Sequence, residues 1–185
     1  MMKRTAVAVL VCLATAAMAH GQNLTIEISN LQSAGGMSFT PFWLGVHDGT
    51  FDMFDAGTSA TSPAGIESIA ELGDTSALSS RFSSEQPGGT QTTFAEPNGP
   101  PVFQPGETAS VNLAVTNPTT NRYLNYASMV VPSNDLFVGN DSAIEVFDSS
   151  GNFVGPITIS IFGSRVWDAG TEVNDELVER VGRVV

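Results

Sequence analysis

The feature that most limits the fold is an apolar/polar alternation of period two, repeated in short runs and cut by turn residues. Ala109-Ser-Val-Asn-Leu-Ala-Val-Thr116 alternates cleanly, as do Leu24-Thr-Ile-Glu-Ile-Ser and Ile157-Thr-Ile-Ser-Ile-Phe162. Such runs are half-buried strands, one face in a core and one in water. Asn117-Pro-Thr-Thr-Asn121 separates the first run from Tyr123–Val131, which predicts an antiparallel hairpin in outline. Ser149-Ser-Gly151 sits between Ile144–Asp148 and Asn152–Val154 and predicts another. Phe39–Val46 reads as a bulkier strand, with Pro41 marking a bulge or an edge, and Gln91–Phe94 as a short strand inside a Pro- and Gly-rich loop.

A helical pattern stands out once. Ser62 suits an N-cap, Pro63 the first helical position, and Gly73 the stop, with Ile66, Ile69 and Leu72 on one face. Asp74-Thr75 also suits a short turn leading through Leu78 and Phe82. The sum is an all-β fold, an antiparallel β-sandwich of about eight strands with one short helix insertion.

The N-terminus reads as an export signal rather than a membrane anchor. Lys3-Arg4 precede the apolar run Ala6–Ala17, and Ala17-Met-Ala19 is a small-x-small cleavage pattern. Residues 1–19 are therefore expected to be a signal peptide, cut after Ala19 with a site nearer residue 22 as the alternative, and too short to span a bilayer. The expected product is secreted, periplasmic or extracellular. Cys12, the chain's one cysteine, would leave with that segment. The remaining chain has no lysine and sets five arginines against 19 carboxylates, a net of −14. That field disfavours nucleic acid and anionic lipid as partners. A small exported domain without disulfides often relies on a bound metal instead.

Candidate chemistry centres on oxygen ligands. Asp135 follows Val131-Pro-Ser-Asn at the end of a strand run. Trp167-Asp-Ala-Gly-Thr-Glu-Val-Asn-Asp175 brings Asp168, Glu172 and Asp175 close together around a flexible Gly170. Carboxylates on loops at strand ends suit Ca²⁺, whereas zinc, copper and iron–sulfur sites want Cys or several His. Asp55-Ala-Gly-Thr58 echoes Asp168-Ala-Gly-Thr171, and both read first as turns. His47, before Asp48-Gly49, reads as a strand-end residue, and no Gly-x-Ser-x-Gly elbow is present. Trp43, Phe42, Tyr123, Tyr126 and Trp167 read as core residues.

Phe42-Trp-Leu-Gly-Val-His-Asp-Gly49, Gly65-Ile-Glu67, Ala127-Ser-Met-Val-Val-Pro-Ser-Asn-Asp135 and Trp167-Asp-Ala-Gly-Thr-Glu172 together resemble the spondin N-terminal domain family. The likeness is greatest to its short bacterial secreted members and runs from residue 23 to 176, leaving 177–185 as a tail or shortened last strand. The resemblance implies an eight-stranded sandwich with Ca²⁺ held by Asp135, Asp168 and Glu172, and Asp175 as a possible further ligand. Vertebrate members, F-spondin and mindin, carry Asp where Glu172 stands. It also implies a non-catalytic adhesion or ligand-binding module, whose partner is an extracellular glycan, cell-surface or matrix protein. The competing expectations are a self-assembling surface protein and a carboxylate-based hydrolase.

Overall fold

The computed structural model describes the backbone of residues 6–15 and, with side chains, residues 21–173. In chain order the elements are β1 (Ala6–Thr15), β2 (Gly21–Asn30), β3 (Ser38–Phe39), β4 (Phe42–His47), α1 (Ile66–Leu72), α2 (Ser76–Glu85) and β5 (Thr90–Phe94). They continue with β6 (Thr108–Thr116), β7 (Tyr123–Val131), β8 (Leu136–Gly139), β9 (Ile144–Glu145), β10 (Ile157–Phe162), a 3-10 turn (Gly163–Arg165) and β11 (Trp167–Asp168). Two antiparallel sheets result. The first has the order β10-β1-β2-β6, and the second β11-β8-β7-β4-β5, with β3 and β9 added against β7.

The sandwich follows from the alternation. Leu24, Ile26 and Ile28 of β2 and Leu113 and Val115 of β6 point inward to meet Phe42, Leu44, Val46, Leu124 and Val138 of the second sheet. Each fully buried Leu, Ile or Phe contributes about 1.5–3 kcal/mol relative to exposure. The hairpin expected between Ala109–Thr116 and Tyr123–Val131 is not formed. β6 pairs with β2, Leu24 opposite Leu113, while β7 pairs with β4 and β8. The Asn117–Asn121 turn instead carries the chain from one sheet to the other. Alternation says that a strand is half-buried; it does not say which strand lies beside it.

The hairpin around Ser149–Gly151 does form, with Phe147 opposite Phe153 and the Asp148 N–H donating to the Asn152 carbonyl. The bulky 39–46 run is broken as Pro41 suggested, into β3 and β4.

The helical insertion holds two helices rather than one. α1 begins at Ile66, three residues beyond Pro63, with Gly65 as its N-cap. It stops at Gly73, which is left-handed, and the Gly73 and Asp74 N–H groups donate back to Ile69 and Ser68. Leu72 is 75% exposed and does not belong to the buried face, which is Ile66, Ile69 and Ala70. α2 buries Leu78 and Phe82. Both helices cover the outer face of the second sheet, where Trp43, Ala127 and Phe137 join them in a second core. Phe82 and Phe51 lie 5.3 and 5.9 Å from Trp43 between ring centroids, and the Trp43 indole N–H donates to Gln91 Oε1.

Candidate metal centre

The second sheet ends, at one edge, in two loops that carry the predicted ligands. β7 stops at Val131–Pro132, and the next turn is built by Ser133. Its hydroxyl donates to the Val130 carbonyl and accepts from the Leu136 N–H. That turn places Asp135 at the start of β8, 1% exposed. On the partner side, β11 pairs with β8 so that Asp168 stands opposite Leu136 and Trp167 opposite Phe137. The Trp167 indole N–H donates to the Gly139 carbonyl, which fixes the approach of the second loop.

The loops close on the Asp135 carboxylate. Its Oδ2 accepts the backbone N–H groups of Thr171 and Glu172 at 3.0 and 3.1 Å, and the Ala169 N–H donates to its backbone carbonyl. Asp168 turns its own loop, with Oδ1 accepting the Gly170 N–H at 2.8 Å. Gly170 has φ +64°, where a side chain would be strained. Asn134 donates to the Val173 carbonyl and pins the far end.

Asp135 Oδ1 is the exception. It is buried and has no hydrogen-bond partner. A buried carboxylate oxygen left alone is costly unless a cation or water satisfies it. The structure thus brings Asp135 and the Asp168–Glu172 loop together, as the sequence spacing suggested. Among the described residues no group of three or more His, Cys, Asp or Glu is placed so that it could hold a metal ion. The joining contacts are backbone N–H groups to Asp135, a role invisible in spacing. Asp175 lies outside the described residues.

A third loop supports the site from beneath. The Ser59 hydroxyl donates to the Gly170 carbonyl and the Ala60 N–H to the Ala169 carbonyl. Asp55 and Asp168 line the same small cavity, with Phe54, Phe137 and Trp167 around it. The repeated Asp-Ala-Gly-Thr motif, read from sequence as two separate turns, marks two turns that pack together. Asp55 closes its turn through its backbone carbonyl, which accepts both the N–H and the hydroxyl of Thr58.

The spondin motifs quoted above fall on these elements, and a profile comparison extends them. The family profile Spondin_N matches residues 33–175. The chain belongs to the spondin N-terminal domain family. No curated protein matches it. The spondin match takes in both loops that carry the predicted ligands, the helical insertion and all of the second sheet.

Elsewhere in this spondin domain, His47 is buried at the far end of β4. The Gly49 N–H donates to its Nδ1, so Nε2 carries the proton and donates to Asn125 Oδ1. Both ring nitrogens therefore engage amide groups rather than a nucleophile or a carboxylate. Burial is the main cause of a pKa below the ordinary 6.5, outweighing the Asn125 contact and the nearby Asp48 charge. A groove of about 520 Å³ opens between β10 and the β8–β9 connection, with Tyr126, Ile144, Ile159 and Trp167 inside and Asn140 and Arg165 among its polar residues. No helix among the described residues is long and apolar enough to cross a membrane.

Proposed function

We propose that this spondin domain is an exported, non-catalytic binding module acting in adhesion or ligand capture at a cell surface or matrix, with Ca²⁺ as a structural ion. The observation that carries the metal reading is the buried Asp135 Oδ1 with no protein partner, next to a loop that bears Asp168 and Glu172. A hard cation prefers such oxygen donors. Asp135 is the first ligand, and Asp168 and Glu172 supply further oxygens from the other loop. The ion neutralises acidic groups in a strongly negative chain and ties the β8 start to the loop after β11.

The module reading draws on family membership and on composition. A chain with this excess of carboxylates favours partners met through calcium, glycan hydroxyls or basic protein surfaces. Glu172 reaches one methylene further than Asp, so its loop closes on the ion with a different reach.

Thermal melts in EDTA and in rising CaCl₂ test the metal. At a hundredfold excess over Kd, ligand binding stabilises a fold by about 2.7 kcal/mol. Asp135→Asn keeps the shape and removes the charge, and together with Asp168→Ala it should erase the calcium-dependent rise in Tm. An unchanged rise in both variants places the ion elsewhere. Retention on glycan and matrix surfaces, present in Ca²⁺ and lost in EDTA, tests the binding role. Retention indifferent to both would remove calcium from it.

A further inference from the structure

The two lateral mouths of the sandwich are built differently. On the β5–β6 side the Thr90 hydroxyl donates to the Ala114 carbonyl, and Phe94 packs on Phe103 with ring centroids 5.6 Å apart. On the other side β10 borders the first sheet, and β11 and β8 border the second. There the sheets part to leave the groove of about 520 Å³ between β10 and the β8–β9 connection.

The floor of the groove is core. Tyr126 and Ile161 belong to the inter-sheet cluster, Ile144, Ile159 and Val166 pack against it, and Trp167 packs against the outer core. Core side chains that face a wet groove gain when an apolar body displaces the water. The volume falls within the range of about 300–1,000 Å³ typical of small-molecule sites, and a cleft of this size suits one small ligand better than a folded partner.

The walls are fixed. Asn140 Oδ1 accepts the Tyr126 N–H, and its Nδ2 donates to the Leu124 and Ser142 carbonyls. The indole of Trp167 is held by the Gly139 carbonyl. The β10 wall continues through Gly163–Arg165 into β11, which pairs with β8, so it is tied to the second sheet as well as to β1. A groove held in this way needs little ordering when a ligand enters.

The rim sets the charge of the occupant. Arg81 lies over Phe51 and pairs with Glu85, and Arg122 lies over Tyr123 and pairs with Glu145. Arg165 is exposed on the groove rim and makes no ion pair among the described residues. A guanidinium beside an apolar cleft, in a chain of net charge −12, selects a carboxylate. Asp141, on the β8–β9 side, disfavours a second negative charge.

We propose that this groove binds a small amphiphile with a single carboxylate, its apolar body against Ile144, Ile159 and Trp167 and its carboxylate on Arg165. The inference goes beyond the binding-module reading and does not involve calcium. A glycan would find hydroxyl partners only along the rim, at Ser142 and Ser164. A bilayer of anionic lipid is repelled by the net charge of the chain, so the amphiphile is taken up free.

Decanoate, kept below its micelle concentration, is the probe, with decanol and decylamine of equal chain length beside it. The full chain expressed for export is titrated in EDTA, which keeps calcium soaps from forming and leaves the metal reading untouched by either result. Calorimetry gives stoichiometry and Kd. Tryptophan emission reports occupancy, because Trp167 lines the groove while Trp43 is fully buried in the outer core. Decanoate should bind once per chain and shift the emission, at least about tenfold more tightly than decanol or decylamine. Arg165→Gln alters an exposed side chain, should leave Tm unchanged, and should remove that preference. Ile144→Trp fills the groove and should abolish binding in a chain that still melts cooperatively. Absence of saturable decanoate binding overturns the proposal. Equal binding of decanol or decylamine overturns it as well, and so does a Kd indifferent to both substitutions. Sedimentation with phosphatidylglycerol vesicles that Arg165→Gln abolishes would assign the groove to a membrane surface, and would overturn it too.

Discussion

In the first sheet β2 buries alternate residues from Leu24 onward, whereas in the second sheet all six residues of β4 are buried. The difference is what lies outside. The outer face of the first sheet carries Thr25, Glu27 and Ser29 beside Asn112, Ser110 and Thr108, joined by hydroxyl contacts such as Thr25 to Asn112 and Ser29 to Thr108. The outer face of the second carries Trp43 and Ala127, roofed by α1, α2 and the Phe51–Ala60 loop. One sheet is a wall against water and the other is the middle layer of three. The acidic loops belong to the second. Their support comes from the same roof, through Ser59 and Ala60, so the candidate metal centre is anchored in the outer core as well as in the sandwich.

Trp43→Ala gives the sharpest test of that distinction. It removes an indole that is fully buried between β4 and α2, and it strands the Gln91 carbonyl that the indole N–H satisfies. The expected loss is about 3–5 kcal/mol by urea denaturation. A loss below about 1 kcal/mol would mean that the helices rest on the sheet without a shared core. Asp135→Ala in EDTA comes next. It leaves the Thr171 and Glu172 N–H groups without their acceptor, a cost of about 1–3 kcal/mol. No loss would show that the second loop holds its shape without Asp135.

The same two layers explain what could be read from the chain. β2, β6 and β10 alternate because each has one wet face, and they were legible for that reason. Phe42-Trp-Leu-Gly-Val-His47 reads as a strand, but the lack of polar residues from Phe42 to Val46 is the mark of a second covered face, which alternation alone does not identify. α2 was only half legible: Leu78 and Phe82 give it an apolar stripe, but its serines are weak helix formers, and tertiary packing on Trp43 and Phe51 decides the matter. The neighbours of β6 and β7 were hidden because pairing depends on the whole topology. At the site, Asp135 and the Asp168–Glu172 loop could be matched by motif. That Asp135 works through backbone N–H groups could not, since those groups carry no sequence signature. Ser59 and Ala60 were missed entirely, and the repeated Asp-Ala-Gly-Thr was the available clue.

Within the sandwich, Ile26→Val deletes one methyl group from the inner core and should cost about 0.5–1.5 kcal/mol. Acidification probes the other core through His47, which touches Phe51 and Phe82. Its pKa in the fold lies below the ordinary 6.5, so the unfolded chain takes up a proton first as pH falls. Stability is therefore full above pH 6.5 and drops below it, by at most about 1.4 kcal/mol per pH unit. Asp48 and Asp148 are held below the usual carboxylate range, by Thr50 and by Asn152 respectively, and titrate beneath this window. His47→Gln should flatten the slope in melts between pH 5.5 and 7 (about one unit around the imidazole transition). A slope that survives the change belongs to other groups.

The smallest effect is expected on the bare wall. Thr25→Val exchanges a hydroxyl on the outer face of β2 for a methyl group and breaks only the exposed contact with Asn112. β-branching is kept, so the strand loses no preference for its backbone, and stability should move by no more than about 0.5 kcal/mol. The value of the substitution lies in its null result. If it costs as much as Ile26→Val, the outer face of the first sheet is covered in solution by something the described residues do not include, and the contrast between the two sheets is a property of the isolated chain rather than of the working protein.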